Sequence, residues 1–149
     1  MSTMKDSTRI KTAYALLDSY SILNVEALLA SLTDSFTHKV LPELLEMPLR
    51  DKTAFAVHAE RMASIFSTFT MVPQSVFEDQ ERNSVVIHAK MVGELINLGS
   101  WENECIIMLK MSDDGCKVVE QKEFVDSARA KLFQEKLLSV TKVNLFRDE

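Results

Sequence analysis

The segment from Trp101 to Asp126, WENECIIMLKMSDDGCKVVEQKEFVD, constrains this chain more than any other. Ser112-Asp113-Asp114-Gly115 supplies the chemistry of a tight turn, because Asp-Gly tolerates the positive φ that short hairpin loops need. Before the turn, Cys105 to Leu109 is an apolar run suited to a largely buried strand. After it, Cys116 to Val125 carries β-branched Val118, Val119 and Val125 and closes with Glu123-Phe124-Val125-Asp126. A lone hairpin is at best marginal in water, so further strands must lie beside this one and helices over it.

The rest of the chain supplies them. A cap among Asp6, Ser7 and Thr8 opens a first helix with Ile10, Ala13, Tyr14 and Leu17 on one face. Asn24 caps a short second helix that turns Leu28, Leu29 and Leu32 inward, and Thr33-Asp34 ends it. Ser35 to Val40 alternates as a short strand, with Phe36, His38 and Val40 on one side. Pro42 and Pro48 leave room between them for one helical turn at most. Asp51 caps a third helix from Lys52 to about Phe69, whose stripe is Phe55, Ala59, Met62, Ile65, Phe66 and Phe69, with His58 at its edge. Strands Met71–Glu78 and Ser84–Glu94 flank a polar turn. Val85, Ile87, Ala89 and Met91 share one face of the second strand, and His88 lies on the other.

A last helix begins near Ser127 and buries Leu132, Phe133 and Leu137. Residues 139–149 form an aperiodic apolar tail that frays or covers a partner subunit. Helices followed by a four-strand meander indicate α+β: a bent antiparallel sheet with N-terminal helices over one face and a cavity between the layers. The reading is one domain spanning 1–149, with its core at about 8–138.

Composition narrows the function classes. A net charge of −5 gives a nucleic-acid partner no electrostatic support. No apolar run approaches the roughly 20 residues that cross a bilayer, and MSTMKDSTRI lacks the apolar core of a signal peptide, so the expected location is cytoplasmic. Cys105 and Cys116 fall inside expected strands as buried thiols, outside any metal-ligand spacing. No nucleophile elbow, phosphate loop, dinucleotide fingerprint or HExxH is present. What remains is a set of ionisable residues near apolar surfaces, where a carboxylate or imidazole can be tuned to move protons.

His58 shares its helix face with Phe55, Met62 and Ile65 and reads either as a core-edge histidine or as a catalytic or ligand-binding one. Asp126, at the end of the hairpin, is a pocket acid or the cap of the last helix. Glu104 with Glu102 is a pocket acid or part of an edge ion pair. Arg50 binds an enolate or carboxylate, or is a surface arginine. His88 lies on the less apolar face of its strand, and His38 shares a face with Phe36 and Val40.

These stretches, PLRDKTAFAVHAERMASIF and WENECIIMLKMSDDGCKVVEQKEFVDS above all, resemble the SnoaL-like branch of the NTF2-like superfamily, and within it the small fungal isomerases and cyclases of natural-product pathways. The resemblance covers about Thr8 to Leu138. It implies a cone-shaped α+β barrel with a deep pocket, no metal or organic cofactor, and a homodimer. The implied chemistry is acid–base isomerisation or aldol cyclisation of a polycyclic polyketide or meroterpenoid, tetrahydroxanthone-type skeletons included. Asp126 matches the family's late-strand acid/base and His58 a pocket-lining position. Arg50, His88, Glu104 and His38 are carried as substrate-binding candidates. Two rivals stay open. One is a non-catalytic binding or dimerisation module whose pocket is plugged by Phe66 or Trp101. The other is a dehydratase like scytalone dehydratase, which pairs two pocket histidines with tyrosines; this chain has only Tyr14 and Tyr20.

Overall fold

The computed structural model describes residues 5–148. Helices α1 (Thr8–Tyr20), α2 (Val25–Leu29) and α3 (Lys52–Ile65) lie on one face of a six-stranded sheet. Its strands are β1 (Leu32–Leu41), β2 (Arg50–Asp51), β3 (Phe66–Asp79), β4 (Ser84–Leu95), β5 (Gly99–Met111) and β6 (Val118–Val125), and α4 (Ser127–Val140) follows. The strand order is β2-β1-β6-β5-β4-β3. Strands β3 to β6 form the expected antiparallel meander, β2 pairs antiparallel with β1, and β1 joins the sheet by running parallel to β6.

Local chemistry sets the helix starts. The side chains of Ser7, Asn24, Asp51 and Asp126 each accept a backbone N–H from the first turn of α1, α2, α3 and α4. Between Pro42 and Pro48 the chain makes one 3-10 turn, Glu43–Leu45.

Four expectations need correction. Helix α3 stops at Ile65, and Phe66 and Phe69 belong to β3. Their three-residue spacing suits a helix, yet a bulge between Phe66 and Thr68 lets a strand point both rings inward. Gly93 makes room for that bulge, since a Cβ there would stand 2.5 Å from the Thr68 carbonyl oxygen and 3.0 Å from the Phe66 ring. The first strand is longer than Ser35–Val40, starting at Leu32, because its parallel pairing to β6 extends it. Cys116 is exposed in the turn, while Cys105 is buried as expected, and burial raises its thiol pKa, which keeps it inert. On α4, Leu137 is buried but Leu132 is exposed, because the helix meets the body along one narrow stripe.

The core lies between the helices and the inner sheet face. Phe36, Phe55, Leu16, Leu32, Ile87, Ile107 and Leu109 are fully buried there, each worth about 2–3 kcal/mol of transfer free energy. Phe66, Phe69, Trp101 and Phe133 pack as an aromatic cluster where α4 closes one end of the sheet. Between that cluster and α2 the packing leaves a gap.

Candidate active site

The gap is a cavity lined mainly by apolar side chains, among them Phe55, Met62, Phe66, Phe69, Met71 and Met91. Its empty space, open mouth included, is about 630 Å³, of which the centres of water molecules can reach about 70 Å³. Phe66 narrows this space without filling it, and Trp101 packs behind Phe66. Three unbranched methionine side chains line the walls and can rearrange at low cost around a larger guest.

Into this apolar setting the fold delivers a connected polar group. Parallel pairing of β1 with β6 sets His38 opposite Gln121 and Val40 opposite Glu123. His38 Nε2 then lies 2.9 Å from Glu123 Oε1. The same carboxylate oxygen accepts from Gln121 Nε2 at 2.5 Å, and Gln121 Nε2 also donates to the Tyr20 hydroxyl at 2.8 Å. His58 reaches the cavity from α3, its ring 5.8 Å from that of His38, and Phe55 packs 4.7 Å from the His38 ring. Three atoms here are shut off from solvent and have no hydrogen-bond partner among the described residues: Nδ1 of His38, Nδ1 of His58 and Oε1 of Gln121.

Electrostatics assigns the protons. Burial pushes the Glu123 carboxyl up, but the His38 hydrogen bond and charge, the Gln121 bond and Arg50 outweigh it, and the net direction is down. Glu123 is therefore an ionised acceptor, so His38 Nε2 carries the proton of their hydrogen bond, and Nδ1 is the ring nitrogen left without a partner among the described residues. Burial, then Arg50, His38 and Arg61, holds His58 well below its ordinary range, so its imidazole is neutral. Burial, then Glu123, raises the Tyr20 pKa, so its hydroxyl stays protonated and is a donor.

The residues singled out in the sequence divide between the two faces of the sheet. His58 and His38 line the cavity. Arg50, cross-strand neighbour of His38, is fully buried beside them rather than on the surface. Asp126, His88 and Glu104 are not cavity residues. Strand parity turns Val125 inward and Asp126 outward, where its carboxylate accepts the Arg129 N–H as the α4 cap and borders a shallow polar groove with Lys90, Glu102, Glu104 and Arg129. Strand β4 pairs with β5 without a bulge from Ser84 to Leu95, so His88 keeps the outward parity opposite Ile87 and Ala89 and pairs with Glu104 on the outer face.

Sequence reasoning missed Glu123, Gln121 and Tyr20. The register of β6 slips next to Val118, and beyond it Gln121, Glu123 and Val125 face inward while Lys122 and Phe124 face out. An acid inside and a phenylalanine outside is the reverse of a packed strand, and that inversion was the available signal.

No family model matches the chain. Among curated proteins it is similar to Austinoid biosynthesis clusters protein F of Penicillium brasilianum, 28% identical over 88% of this chain and 84% of that one. It is also similar to Monooxygenase AacuO of Aspergillus aculeatus, 24% identical over 85% of this chain and 78% of that one. Among solved structures, the BvnE pinacolase of Penicillium brevicompactum superposes with a TM-score of 0.85 at 18% identity, covering 93% of this chain and 99% of that one. AusH of Aspergillus nidulans gives 0.78 at 22% identity over 84% and 88%. A protein of ketosteroid isomerase-like fold from Catenulispora acidiphila gives 0.64 at 10% identity over 76% and 83%. The fold is that of the NTF2-like, ketosteroid-isomerase-like proteins, as the resemblance carried by the sequence implies.

Proposed function

We propose that this NTF2-like chain is an acid–base isomerase or cyclase acting on a carbonyl-bearing polycyclic intermediate of a fungal polyketide or meroterpenoid pathway. One observation carries the reading: a carboxylate-oriented imidazole, His38 on Glu123, stands in an apolar cavity with two neutral donors, Tyr20 and His58. His38 Nδ1 takes a proton from a carbon next to a carbonyl, and the imidazolium that forms is held against ionised Glu123. The enolate oxygen accepts from the Tyr20 hydroxyl and from the neutral His58 imidazole. His38 then returns the proton to a different atom, and the product is an isomer. In a cyclisation the enolate carbon adds to a second carbonyl of the same substrate, and the alkoxide receives that proton. The substrate's own carbonyls hold the charge, so this scheme assigns no role to a metal or organic cofactor.

The relatives support the setting, since one is named for austinoid biosynthesis and one solved neighbour is a pinacolase. A specific observation favours a dehydratase as the second reading: two histidines and one tyrosine line the same cavity, the residue types that the scytalone dehydratase pattern uses. The test is a deletion strain profiled by mass spectrometry, with the accumulated compound fed to the purified protein. An isomer of identical mass is the expected product. Loss of one water identifies the dehydratase, and a gain of one oxygen a monooxygenase, the activity for which AacuO is named. No conversion of any accumulated compound leaves a binding module.

We further propose that the chain is a homodimer joined through the outer sheet face, where the cross-strand neighbours Ile106 and Phe124 are 46% and 50% exposed and Phe77, farther along the sheet on β3, is 64% exposed. Sedimentation should give a dimer, and Ile106→Glu with Phe124→Glu a monomer.

A further inference from the structure

Arg50 has no solvent-exposed surface, and the groups that meet its charge come from the tail, residues 141–148. Its Nε donates to Asp148 Oδ1 at 2.9 Å and its Nη2 to the Leu145 carbonyl at 3.2 Å. Its Nη1 is shut off from solvent without a hydrogen-bond partner among the described residues. The tail is itself fastened. The buried Gln134 side chain of α4 donates to the Val143 carbonyl at 3.0 Å and accepts the Leu145 N–H at 2.6 Å. Leu145 is buried, and Arg61 Nη1 donates to the Arg147 carbonyl at 2.6 Å. In the structure this segment packs against its own chain. Apolar residues could close the same gap with equal or better stability, so a buried cation held this way calls for a role in the site.

We propose that the C-terminal segment completes the active site, with Asp148 as a positioning residue that holds the Arg50 guanidinium beside His58 and Glu123. The idea deepens the acid–base reading above and rests on it. The charged and titratable groups around His58 are Arg50 from β2, His38 from β1, Arg61 on its own helix and Glu123 from β6, with Asp148 behind Arg50. Among them Arg50 acts on both members of the machinery. Its charge favours the ionised form of Glu123 and the uncharged form of His58, which separates the base assembly from the neutral donor. Asp148 does not line the cavity and acts only through Arg50.

The test is the titration of His58 by nitrogen NMR on the full chain, where only three histidines need assignment. Two influences of Asp148 have opposite signs. If it positions Arg50, Asp148→Ala frees the guanidinium and admits water, and the His58 midpoint rises by about one pH unit. If it is only a counter-charge, its removal leaves Arg50 in place and the midpoint falls. The expected result is the rise, matched in direction by Arg50→Gln, not increased in the double variant, and reversed by Asp148→Glu. A fall, or no movement, overturns the proposal. Asp148 is partly exposed, so its variants should fold even if Arg50→Gln does not. A midpoint that moves as expected while turnover stays at the parent level would sink the acid–base reading of the cavity instead.

Discussion

Both faces of the sheet carry a histidine paired with a glutamate, and the two pairs differ in everything that matters for chemistry. On the inner face, His38 and Glu123 are 1% and 13% exposed, and the pair connects through Gln121 to Tyr20. On the outer face, His88 and Glu104 are 37% and 56% exposed. Water screens the outer pair and supplies alternative partners, so an ion pair there contributes about 0–1 kcal/mol. The inner pair cannot exchange its partners for water, so each proton position is set by the protein. The residue types alone do not make a site; the solvent they are denied does.

The contrast can be broken in several ways. The largest effect belongs to the inner pair: His38→Ala or Glu123→Gln should lower turnover of the cognate compound by about 10²–10⁴-fold, while His88→Ala and Glu104→Gln leave it unchanged. Equal losses on both faces in a steady-state assay would erase the distinction. Next comes stability. Arg50→Ala leaves Asp148 without its partner and opens a hole beside His38, and should cost about 3–5 kcal/mol in urea unfolding, against under about 1 kcal/mol for Glu104→Ala.

A smaller effect sharpens the comparison through pH. The His58 pKa in the folded chain lies well below its ordinary 6.5, so between those values the unfolded chain binds the extra proton. The contribution of His58 is therefore fully present above about pH 6.5 and is lost as the pH falls toward the folded value. Glu123, also lowered, adds to the loss at more acid pH, below its ordinary 4.5. His58→Gln should flatten the fall in unfolding free energy between about pH 6.5 and 5, and an unchanged slope would contradict this account. The smallest effect is at Asp126: replacing this cap with Ala should cost about 1 kcal/mol and leave turnover at the parent level.

What the sequence disclosed follows the range of the interactions involved. Helix caps at Asn24, Asp51 and Asp126 act over three residues, and each was readable as such. The inward face of β4 and the edge placement of His58 follow from periodicity over a few turns. Asp126 looked like an acid delivered to a pocket because a cap and a pocket acid are the same residue at the same strand end, and only parity separates them. His38 could be assigned a face but not a partner. Glu123 was hidden twice, by the register slip beside Val118 and by a pairing that no local pattern announces. Arg50 stayed open between a ligand-binding and a surface arginine because arginine rarely goes inside, and the tail residue that permits its burial lies 98 positions away.

The parallel junction of β1 and β6 has a consequence for how the protein comes into being. His38 and Glu123 are 85 residues apart in the chain, and the meander of β3 to β6 can zip up from neighbouring hairpins without bringing them together. Closing that long loop is the entropically costly step of assembly, and β6 must dock on β1 before any proton relay exists. A nascent chain that has not yet delivered Glu123 can hold much of its meander and still be chemically silent, so reactivity in this molecule is a late event, reached only when its first strand and its last meet.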